Sequence, residues 1–365
     1  MKVPFVDLSV QYHSIKDEID EAIQRTLNDG WFIGGDAVST FESEFADYLG
    51  VKNCVTCGNG TDALEIALEA LNIGSGDEVI VPAMSWISTS GAVSRVGAKP
   101  VFVDVLQDRH TINPDLVASK ISSKTRAIIA VHLYGKPAEL SELVSLCKES
   151  NIKLIEDCAQ AHGAEYEEKK VGSFAVIATW SFYPTKNLGA YGDAGCVTTE
   201  DAELAEKCRL ISNYGQPKRN VHELEGRNSR MDTLQAAVLS VKLKHLDEWV
   251  ARKREIAGYY NATLKNSGLK LPADDEPQHA YYQYVVESEN RDLLKLNLEY
   301  KGIETQIHYP KALPSLKPYV DSQNISEFSL ANLLADRCLS LPIYPELSQE
   351  QLFYVVNSIL EVLEN

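Results

Sequence analysis

Short apolar runs alternate with segments of helical spacing through the first two thirds of this 365-residue chain. The runs are rich in β-branched residues and lie at residues 79–82, 101–105, 127–132, 153–157 and 179–183. Apolar strands that alternate with helices predict an α/β fold, in which helices cover both faces of a mostly parallel sheet. In such sheets ligands bind beyond the carboxyl ends of the strands. The residues that directly follow each run are therefore the first candidates for a functional site.

The predicted helices have apolar residues three and four positions apart, which gives each helix one apolar face. This spacing predicts helices over residues 13–29, 38–49, 61–71 and 138–150, and one long helix over 231–260. The long helix is expected to lead out of the part of the chain that holds the sheet.

The last third of the chain has the pattern of a smaller α+β unit. It contains a strand-like run at residues 281–287, a second run ending at 306–309, and two helices. The last helix begins with Ser348-Gln-Glu-Gln351, a capping-box pattern. Because a single core seldom grows past about 250–300 residues, we predict a large domain over 1–250 and a small C-terminal domain over 251–365.

Acidic residues outnumber basic residues by 52 to 35, which gives a formal net charge of −17. Nucleic-acid binding depends on clustered Lys and Arg, so this balance argues against a general binder of phosphate backbones. No apolar run approaches the roughly 20 residues needed to cross a bilayer. The amino terminus also lacks the apolar core of a secretory signal. We therefore expect a cytoplasmic protein without membrane or nucleic-acid partners.

Seven cysteines are scattered from Cys54 to Cys338, an odd number that does not fit a disulfide framework. Cys54 and Cys57 form a C-x-x-C, but no second pair stands at zinc-ligand spacing. We interpret both as residues of a buried strand, and no metal is expected.

A glycine-rich turn, Gly58-Asn-Gly-Thr61, lies between a strand-like run and a helical segment. The first N–H groups of a helix lack intrahelical partners, and the helix dipole favours negative charge there. The turn therefore predicts a phosphate-binding site. The alternative is an ordinary tight turn in which Thr61 or Asp62 caps the helix.

Asp157 ends the run at 153–157 and is followed by Gln160. A carboxylate buried there is costly unless it has a cationic or strongly donating partner. The pyridinium nitrogen of pyridoxal 5′-phosphate (PLP) is such a partner, because a protonated ring acts as an electron sink. The alternative is an Asp that caps the next loop.

Lys186 follows the run at 179–183, in a turn that precedes a glycine-rich stretch. Lysines that form Schiff bases need a neutral fraction, which partial burial supplies. Most lysines are solvated surface groups, and that alternative stays open for Lys186 alone. A phosphate-binding turn, an acid and a lysine, all following strands of one sheet, together indicate a PLP site.

Three segments at these positions resemble the DegT/DnrJ-type sugar aminotransferases, which have PLP fold type I. They are GNGTDAL at 58–64, EDCAQAHGA at 156–164 and SFYPTKNLGAYGDAG at 181–195. Further segments at 3–12, 32–50, 226–239, 307–310 and 340–345 are also similar to that family. The resemblance therefore spans almost the whole chain, although Arg227 stands where a Tyr or Phe is usual.

The resemblance implies roles for the residues around the cofactor. Lys186 forms the Schiff base, Asp157 pairs with the ring nitrogen and Gln160 contacts the phenolic oxygen. Trp86, which in isolation would more often be a core residue, stacks on the pyridine face. The cofactor phosphate is held by Gly60, Thr61 and Ser181.

The resemblance also implies an obligate homodimer with shared active sites, in which Asn228 reaches the phosphate of the neighbouring subunit. Three aromatic residues would lie near the sugar: Tyr183, His308 and Tyr309. His308 and Tyr309 could otherwise be packed strand residues. Lys218, Arg219 and Arg227 are candidate cations for a diphosphate.

By the same resemblance, the expected activity moves the amino group of L-glutamate to a nucleotide-linked keto-sugar. A dTDP-linked 3-keto-6-deoxyhexose is the first choice, and lipopolysaccharide or an S-layer glycan is the expected destination. A UDP-linked 4-keto sugar and a cyclitol ketone are alternatives. A PLP-dependent sugar dehydratase has histidine in place of the lysine, so Lys186 argues against it. A non-enzymatic regulator would not need the lysine, the acid and the phosphate site together.

Overall fold

The central feature of the computed structural model, which describes residues 1–273 and 278–364, is a sheet of seven strands in the order β1-β9-β8-β5-β4-β2-β3. Strands β3, β2, β4, β5 and β8 are parallel to one another, whereas β9 is antiparallel to both of its neighbours, β8 and β1. The strands, with two short pairs outside this sheet, are β1 Asn53–Cys57, β2 Glu78–Pro82, β3 Lys99–Val103, β4 Thr125–Val131, β5 Lys153–Asp157, β6 Glu165–Tyr166, β7 Lys169–Lys170, β8 Ile177–Ser181, β9 Gly195–Thr199, β10 Tyr284–Glu287 and β11 Cys338–Leu341. The predicted α/β fold with a mostly parallel sheet is confirmed.

Helices surround this sheet and build the C-terminal unit. They are α1 Leu8–Ser14, α2 Lys16–Asp29, α3 Asp36–Leu49, α4 Gly60–Ala70, α5 Ser88–Arg95, α6 Pro114–Lys120, α7 Leu140–Ser150, α8 Ala202–Ser212, α9 Thr233–Leu243, α10 Leu246–Leu264, α11 Arg291–Tyr300, α12 Ser329–Arg337 and α13 Gln349–Glu364. In the described part of the chain, no helix is long and apolar enough to cross a bilayer.

Two predicted helices are broken in the structure. The helix predicted over 13–29 begins at Leu8 and is interrupted at Ile15, which has φ −125°. The helix predicted over 231–260 is two helices, α9 and α10, which meet at Lys244 and His245. The prediction of single helices was wrong at both places, because apolar spacing continues across the breaks and the sequence there has neither Gly nor Pro.

Apolar side chains form one core on each face of the sheet. One of the two cores includes Leu64, Val81 and Ile129, and the other includes Phe45, Ile128 and Trp180. Ile128 and Ile129 are consecutive in β4, so their side chains point to opposite faces. Both faces are therefore covered, as a parallel sheet requires.

A third core belongs to the C-terminal unit and lies between α10, α11, α13 and the strands β10 and β11. Helix α10 connects the two parts of the molecule, since Val250 packs in the core of the sheet and Tyr260 packs in the third core. Residue 250, the predicted boundary, therefore lies inside a continuous helix.

The C-terminal unit differs in detail from the sequence prediction. It contains α11, α12 and α13 rather than two helices, and the run ending at 306–309 contributes one β-bridge, between Gln306 and Ser340. The capping box is confirmed, because Ser348 Oγ accepts from the N–H of Gln351 and Gln351 Oε1 accepts from the N–H of Ser348.

Candidate active site

A pocket of about 500 Å³ lies beyond the carboxyl ends of β2, β4, β5 and β8. Ten of the residues singled out from the sequence line this pocket: Gly60, Thr61, Trp86, Asp157, Gln160, Ser181, Tyr183, Lys186, His308 and Tyr309. They come from segments that are up to about 250 residues apart in sequence. The sheet brings them together because parallel strands end at the same edge.

One end of the pocket is formed by the amino terminus of α4, which begins at Gly60. The helix is capped by Asn59, whose Oδ1 accepts from the N–H of Asp62 at 2.9 Å. The alternative in which Thr61 or Asp62 caps the helix is therefore wrong. The N–H groups of Gly60 and Thr61 lie in the first turn, where intrahelical acceptors are lacking.

Gly60 is required here by the close approach of β8. A Cβ atom at this position would lie 2.5 Å from the Cβ of Ser181. The hydroxyls of Thr61 and Ser88 lie at the same turn, and the distance between Thr61 Oγ1 and Ser88 Oγ is 2.7 Å. Helix N–H groups together with hydroxyls form a site that suits a phosphate.

Asp157 is buried at the end of β5, with 5% of its surface exposed. Burial raises the pKa of its carboxyl, whereas the hydrogen bonds from Ala159 and Thr89 and the charge of Lys186 act in the opposite direction. Ala159 N–H donates to Oδ1 at 3.2 Å, so Asp157 also caps the loop that follows, as the alternative interpretation proposed. It does so while lining the pocket.

Lys186 is half-buried in the turn after β8, so it is not a solvated surface lysine. Its backbone N–H donates to the carbonyl of Tyr183 at 2.8 Å. Its Nζ lies 4.3 Å from the centre of the Tyr282 ring. The carboxyl of Asp157 is close enough for the Lys186 charge to affect its pKa.

Gln160 is held from both ends of its side-chain amide. Its Oε1 accepts from the N–H of Tyr134 at 2.8 Å, and its Nε2 donates to the hydroxyl of Tyr309 at 2.9 Å. The ring of Tyr309 lies 5.5 Å from the ring of Trp86. Trp86 is 55% exposed and therefore is not a core residue.

His308 lies beside Tyr309 in the lining of the pocket. Burial, together with the charge of Lys186, lowers the pKa of His308 to about 4. Its Nδ1 is 2.9 Å from Ser340 Oγ. The ring is therefore neutral near pH 7 and can hydrogen-bond to a hydroxyl group without adding charge.

Of the residues predicted to contact the cofactor or the sugar ring, Asn228 does not line this pocket. It is exposed, and its Oδ1 accepts from Arg230 Nε at 3.1 Å. Lys218 and Arg219, in the same loop region, are exposed and also lie outside the pocket.

Arg227, the third candidate cation for a diphosphate, also lies outside the pocket. Its guanidinium forms ion pairs with Glu65 and Glu69 on α4. These carboxylates neutralise the charge of Arg227 and stabilise its protonated form, which raises its pKa.

Several residues that line the pocket were not predicted from the sequence. Ser85, Ser88 and Thr89 follow β2, and Tyr282 and Thr185 form the side next to Lys186. The run of hydroxyl residues from Ser85 to Ser90 after a strand was the available signal. Tyr282 gives no such signal, because it precedes β10 in the C-terminal unit.

These residues fit PLP. A half-buried lysine and a buried carboxylate lie near each other in the pocket. The amino terminus of α4 lies at one end of the same pocket, where Gly60 allows close contact with Ser181. Groups of these kinds have the chemistry to bond to an aldehyde, a ring nitrogen and a phosphate, which are the three parts of the cofactor that need partners. Fold and site together define a PLP-dependent enzyme of the aminotransferase class.

The chain belongs to the DegT/DnrJ/EryC1/StrS aminotransferase family, whose model matches residues 13–360. It is 46% identical over 360 residues to the erythromycin biosynthesis sensory transduction protein EryC1 of Saccharopolyspora erythraea, a match that covers 98% of each chain. It is 42% identical over 369 residues to the dTDP-3-amino-3,4,6-trideoxy-alpha-D-glucose transaminase of Streptomyces venezuelae, covering 100% of this chain and 97% of that one.

A solved structure has the same fold across its whole length. The X-ray structure of S. venezuelae DesV in complex with a ketimine intermediate matches with a TM-score of 0.97 and 40% identity, covering 100% of this chain and 99% of DesV. The family resemblance inferred from the sequence motifs is therefore confirmed, as is PLP as the cofactor of this class of aminotransferase.

Proposed function

We propose that this protein transfers the amino group of L-glutamate to the keto group of a nucleotide-linked sugar, with a dTDP-3-keto-6-deoxyhexose as the first candidate. The observation that carries the proposal is the convergence of Lys186, Asp157 and the amino terminus of α4 on one pocket. The 3-amino dTDP-sugar in the name of the S. venezuelae relative supports the choice of sugar.

The residues of the pocket divide between cofactor and substrate. Asp157 would hold the ring nitrogen, Gln160 the ring hydroxyl and Trp86 the ring face, while the phosphate would be held by Gly60, Thr61 and Ser181. When bound, PLP supplies an electron sink for negative charge that develops at the donor's α-carbon.

Lys186 has two tasks in this proposal. Its Nζ holds the cofactor in the resting enzyme, and after the donor displaces it the free amine takes the proton from the donor's α-carbon. When the sugar is aminated, the same amine would donate a proton to the sugar carbon that receives the nitrogen. Tyr183, His308 and Tyr309 face the space that remains for the sugar, where the neutral ring of His308 can accept or donate a hydrogen bond.

The active protein in this proposal is a homodimer with shared sites. Asn228 is exposed and lies outside the pocket of its own chain, and the consecutive residues Trp31, Phe32 and Ile33 are 61%, 48% and 44% exposed. Contiguous exposed apolar residues mark interaction surfaces. We infer that this segment belongs to the dimer interface and that Asn228 reaches the cofactor phosphate of the partner.

A complementation experiment tests the shared site. Lys186→Ala and Asn228→Ala chains are each expected to be impaired as pure dimers, and mixed dimers should regain one intact site. No recovery on mixing, with exchange of subunits verified by mass, would mean that Asn228 does not act across the interface.

We place the protein in the cytoplasm. All seven cysteines are buried free thiols, which fits a reducing compartment.

The proposed reaction is tested with purified holoenzyme, L-glutamate and a panel of keto-sugar nucleotides. Product mass identifies which sugar is aminated, and 3-keto and 4-keto substrates on dTDP and UDP should be compared directly. Amination of a 4-keto but not a 3-keto sugar would overturn the first candidate. If the protein binds PLP but no amino donor changes its visible absorbance, a non-enzymatic role is favoured instead, such as the sensory transduction named for the EryC1 relative.

A further inference from the structure

A second cavity of about 330 Å³ adjoins the active-site pocket, and we name it the side cavity. Thr185, Tyr282 and His308 line both spaces. The Tyr282 ring, over which Lys186 Nζ lies at 4.3 Å, is therefore a wall that the side cavity shares with the reaction site. The side cavity and the reaction site therefore lie next to each other, on either side of residues that both spaces share.

Lys253 is the cation in the lining of the side cavity. It is only 6% exposed, and its Nζ donates to Asn187 Oδ1 at 2.8 Å. Among the residues that the structure describes, no carboxylate forms an ion pair with it. An ammonium group has three donors, and burying it with one neutral acceptor is costly. Burial accordingly lowers the pKa of Lys253 to about 7, against the opposing charge of Glu346.

Three carboxyl groups line spaces that Lys253 also lines, those of Asp7, Glu304 and Glu346, and none of them forms an ion pair with it. Asp7 Oδ1 accepts from the N–H groups of Ser9 and Val10 at 3.0 and 3.1 Å. Glu346 shares with Lys253 a separate space of about 20 Å³, and burial raises the pKa of this carboxyl, which favours its neutral form. Glu304 is half exposed at the side cavity, where its oxygens accept from the N–H of Phe5 at 3.3 Å and lie 3.8 Å from Lys2 Nζ. The ammonium group of Lys253 is therefore available to an anion in the cavity.

The side cavity also offers a neutral amide. Gln283 is 3% exposed, and its Oε1 is buried without a hydrogen-bond partner among the described residues. The two ends of a glutamine amide are assigned from their partners, so this buried end can equally be the N–H₂ group. Gln283 and Gln306 are the amide residues in the lining of the side cavity.

We propose that the side cavity binds the side-chain carboxylate of the amino donor, with Lys253 as its ion-pair partner. The inference rests on the proposed function and adds to it the site that selects a dicarboxylic amino acid. One buried ammonium group with neutral amides matches a single carboxylate. A diphosphate carries more charge than one lysine balances.

The two substrates of this active site would therefore bind to different residues. The donor uses the side cavity, whereas the sugar uses the pocket residues Tyr183, His308 and Tyr309. Removing Lys253 should weaken donor binding without weakening sugar binding. Loss of one partner of a buried charge pair corresponds to about 10²-fold or more in affinity.

The test measures the two half-reactions separately in Lys253→Met holoenzyme, by the change in visible absorbance. The apparent dissociation constant for L-glutamate should rise about 10²-fold, while reaction with the amino-sugar product stays within about twofold of wild type. L-Norvaline, which has a similar chain without the second carboxylate, should be affected little. Lys253→Arg, which keeps the charge, should recover part of the preference for glutamate over norvaline.

Lys242→Met is the matched control. Lys242 is also buried and also supports the turn after Lys186, since its Nζ donates to the carbonyl of Gly189 at 2.8 Å, but it does not line the side cavity. Its replacement should leave the preference for glutamate over norvaline unchanged.

Two results would overturn the inference and are distinguishable from each other. If Lys253→Met slows both half-reactions equally, or weakens glutamate and norvaline by the same factor, Lys253 only supports the Lys186 turn and the inference alone fails. If wild-type holoenzyme does not react with L-glutamate, the proposed function fails together with it.

Discussion

Thr89 Oγ1 donates a hydrogen bond of 3.1 Å to Oδ2 of Asp157, and Ser85 Oγ lies 2.8 Å from Thr89 Oγ1. The three side chains are each at most 5% exposed. With the N–H of Ala159 on Oδ1, both oxygens of the carboxyl are fixed before a cofactor binds. The hydroxyl of Thr89 thus opposes the rise in the pKa of Asp157 that burial causes.

Replacing Thr89 by Val should therefore weaken cofactor binding. A hydrogen bond to a charged group contributes about 1.5–3 kcal/mol, so the dissociation constant of PLP should rise about 10- to 100-fold. Fluorescence titration of the apoenzyme with PLP measures it. Thr89→Ser keeps the donor and should stay near wild type; equal effects of Val and Ser would mean that packing, rather than the hydroxyl, matters.

Gly60→Ala should weaken binding at the phosphate end of the cofactor. The added Cβ would lie 2.5 Å from Ser181 Cβ, so α4 and β8 must separate. We expect a loss of PLP affinity of at least about tenfold, equivalent to about 1.4 kcal/mol. Gly91→Ala in α5 is the control, because its Cβ would meet no atom within 4 Å. Equal PLP affinity in the two variants would contradict the assignment of this turn to the phosphate.

Lys186→Ala should abolish the visible absorption of the holoenzyme that depends on the lysine–cofactor bond. Catalysis should fall by about 10⁴-fold or more, because the variant loses both the nucleophile and the general base. Absorbance spectra and amination rates measure these changes. Lys153→Ala, at the exposed start of β5, should change neither. A variant at 186 that retained both spectrum and rate would refute the catalytic role.

Glu156→Gln should destabilise the fold next to the site. The Glu156 carboxylate accepts from the N–H groups of Gly172, Phe174 and Ala175 and contacts His132 Nε2 at 3.1 Å. Although burial acts to raise the pKa of this carboxyl, His132 and the backbone donors hold it below its usual value. At pH 7 the substitution should lower the free energy of unfolding by about 3 kcal/mol.

The same pKa shift gives the pH dependence of this effect. A carboxyl whose folded pKa lies below its unfolded value of about 4.5 stabilises the protein fully above that pH. Its contribution is lost as the pH falls below 4.5 and through the lower folded pKa. Denaturant unfolding of wild type and Glu156→Gln should therefore differ at pH 7 and converge in acid. A difference that stayed constant with pH would show that the charge is not involved.

Most strands of the sheet could be predicted from the sequence because their apolar runs are local signals. The strand predicted at 153–157 matches β5, and the others are displaced at their ends by about two residues. Strand β9 was not recognised, although it is buried and pairs with both β1 and β8. Its sequence, Gly-Cys-Val-Thr-Thr, is too polar to stand out from the glycine-rich stretch before it.

The sequence by itself determined the α/β class, the family, and the lysine, acid and glycine-rich turn that follow strands. These features are local in the chain, so residue spacing records them. Only the tertiary structure decided which distant groups join them: Thr89 contacts Asp157 across 68 positions, and Gln160 contacts Tyr309 across 149. It also decided that Arg227 is neutralised by α4 and that Lys253 lines a cavity beside Lys186. Such contacts depend on how elements distant in sequence pack against one another, and no periodicity along the chain encodes that packing.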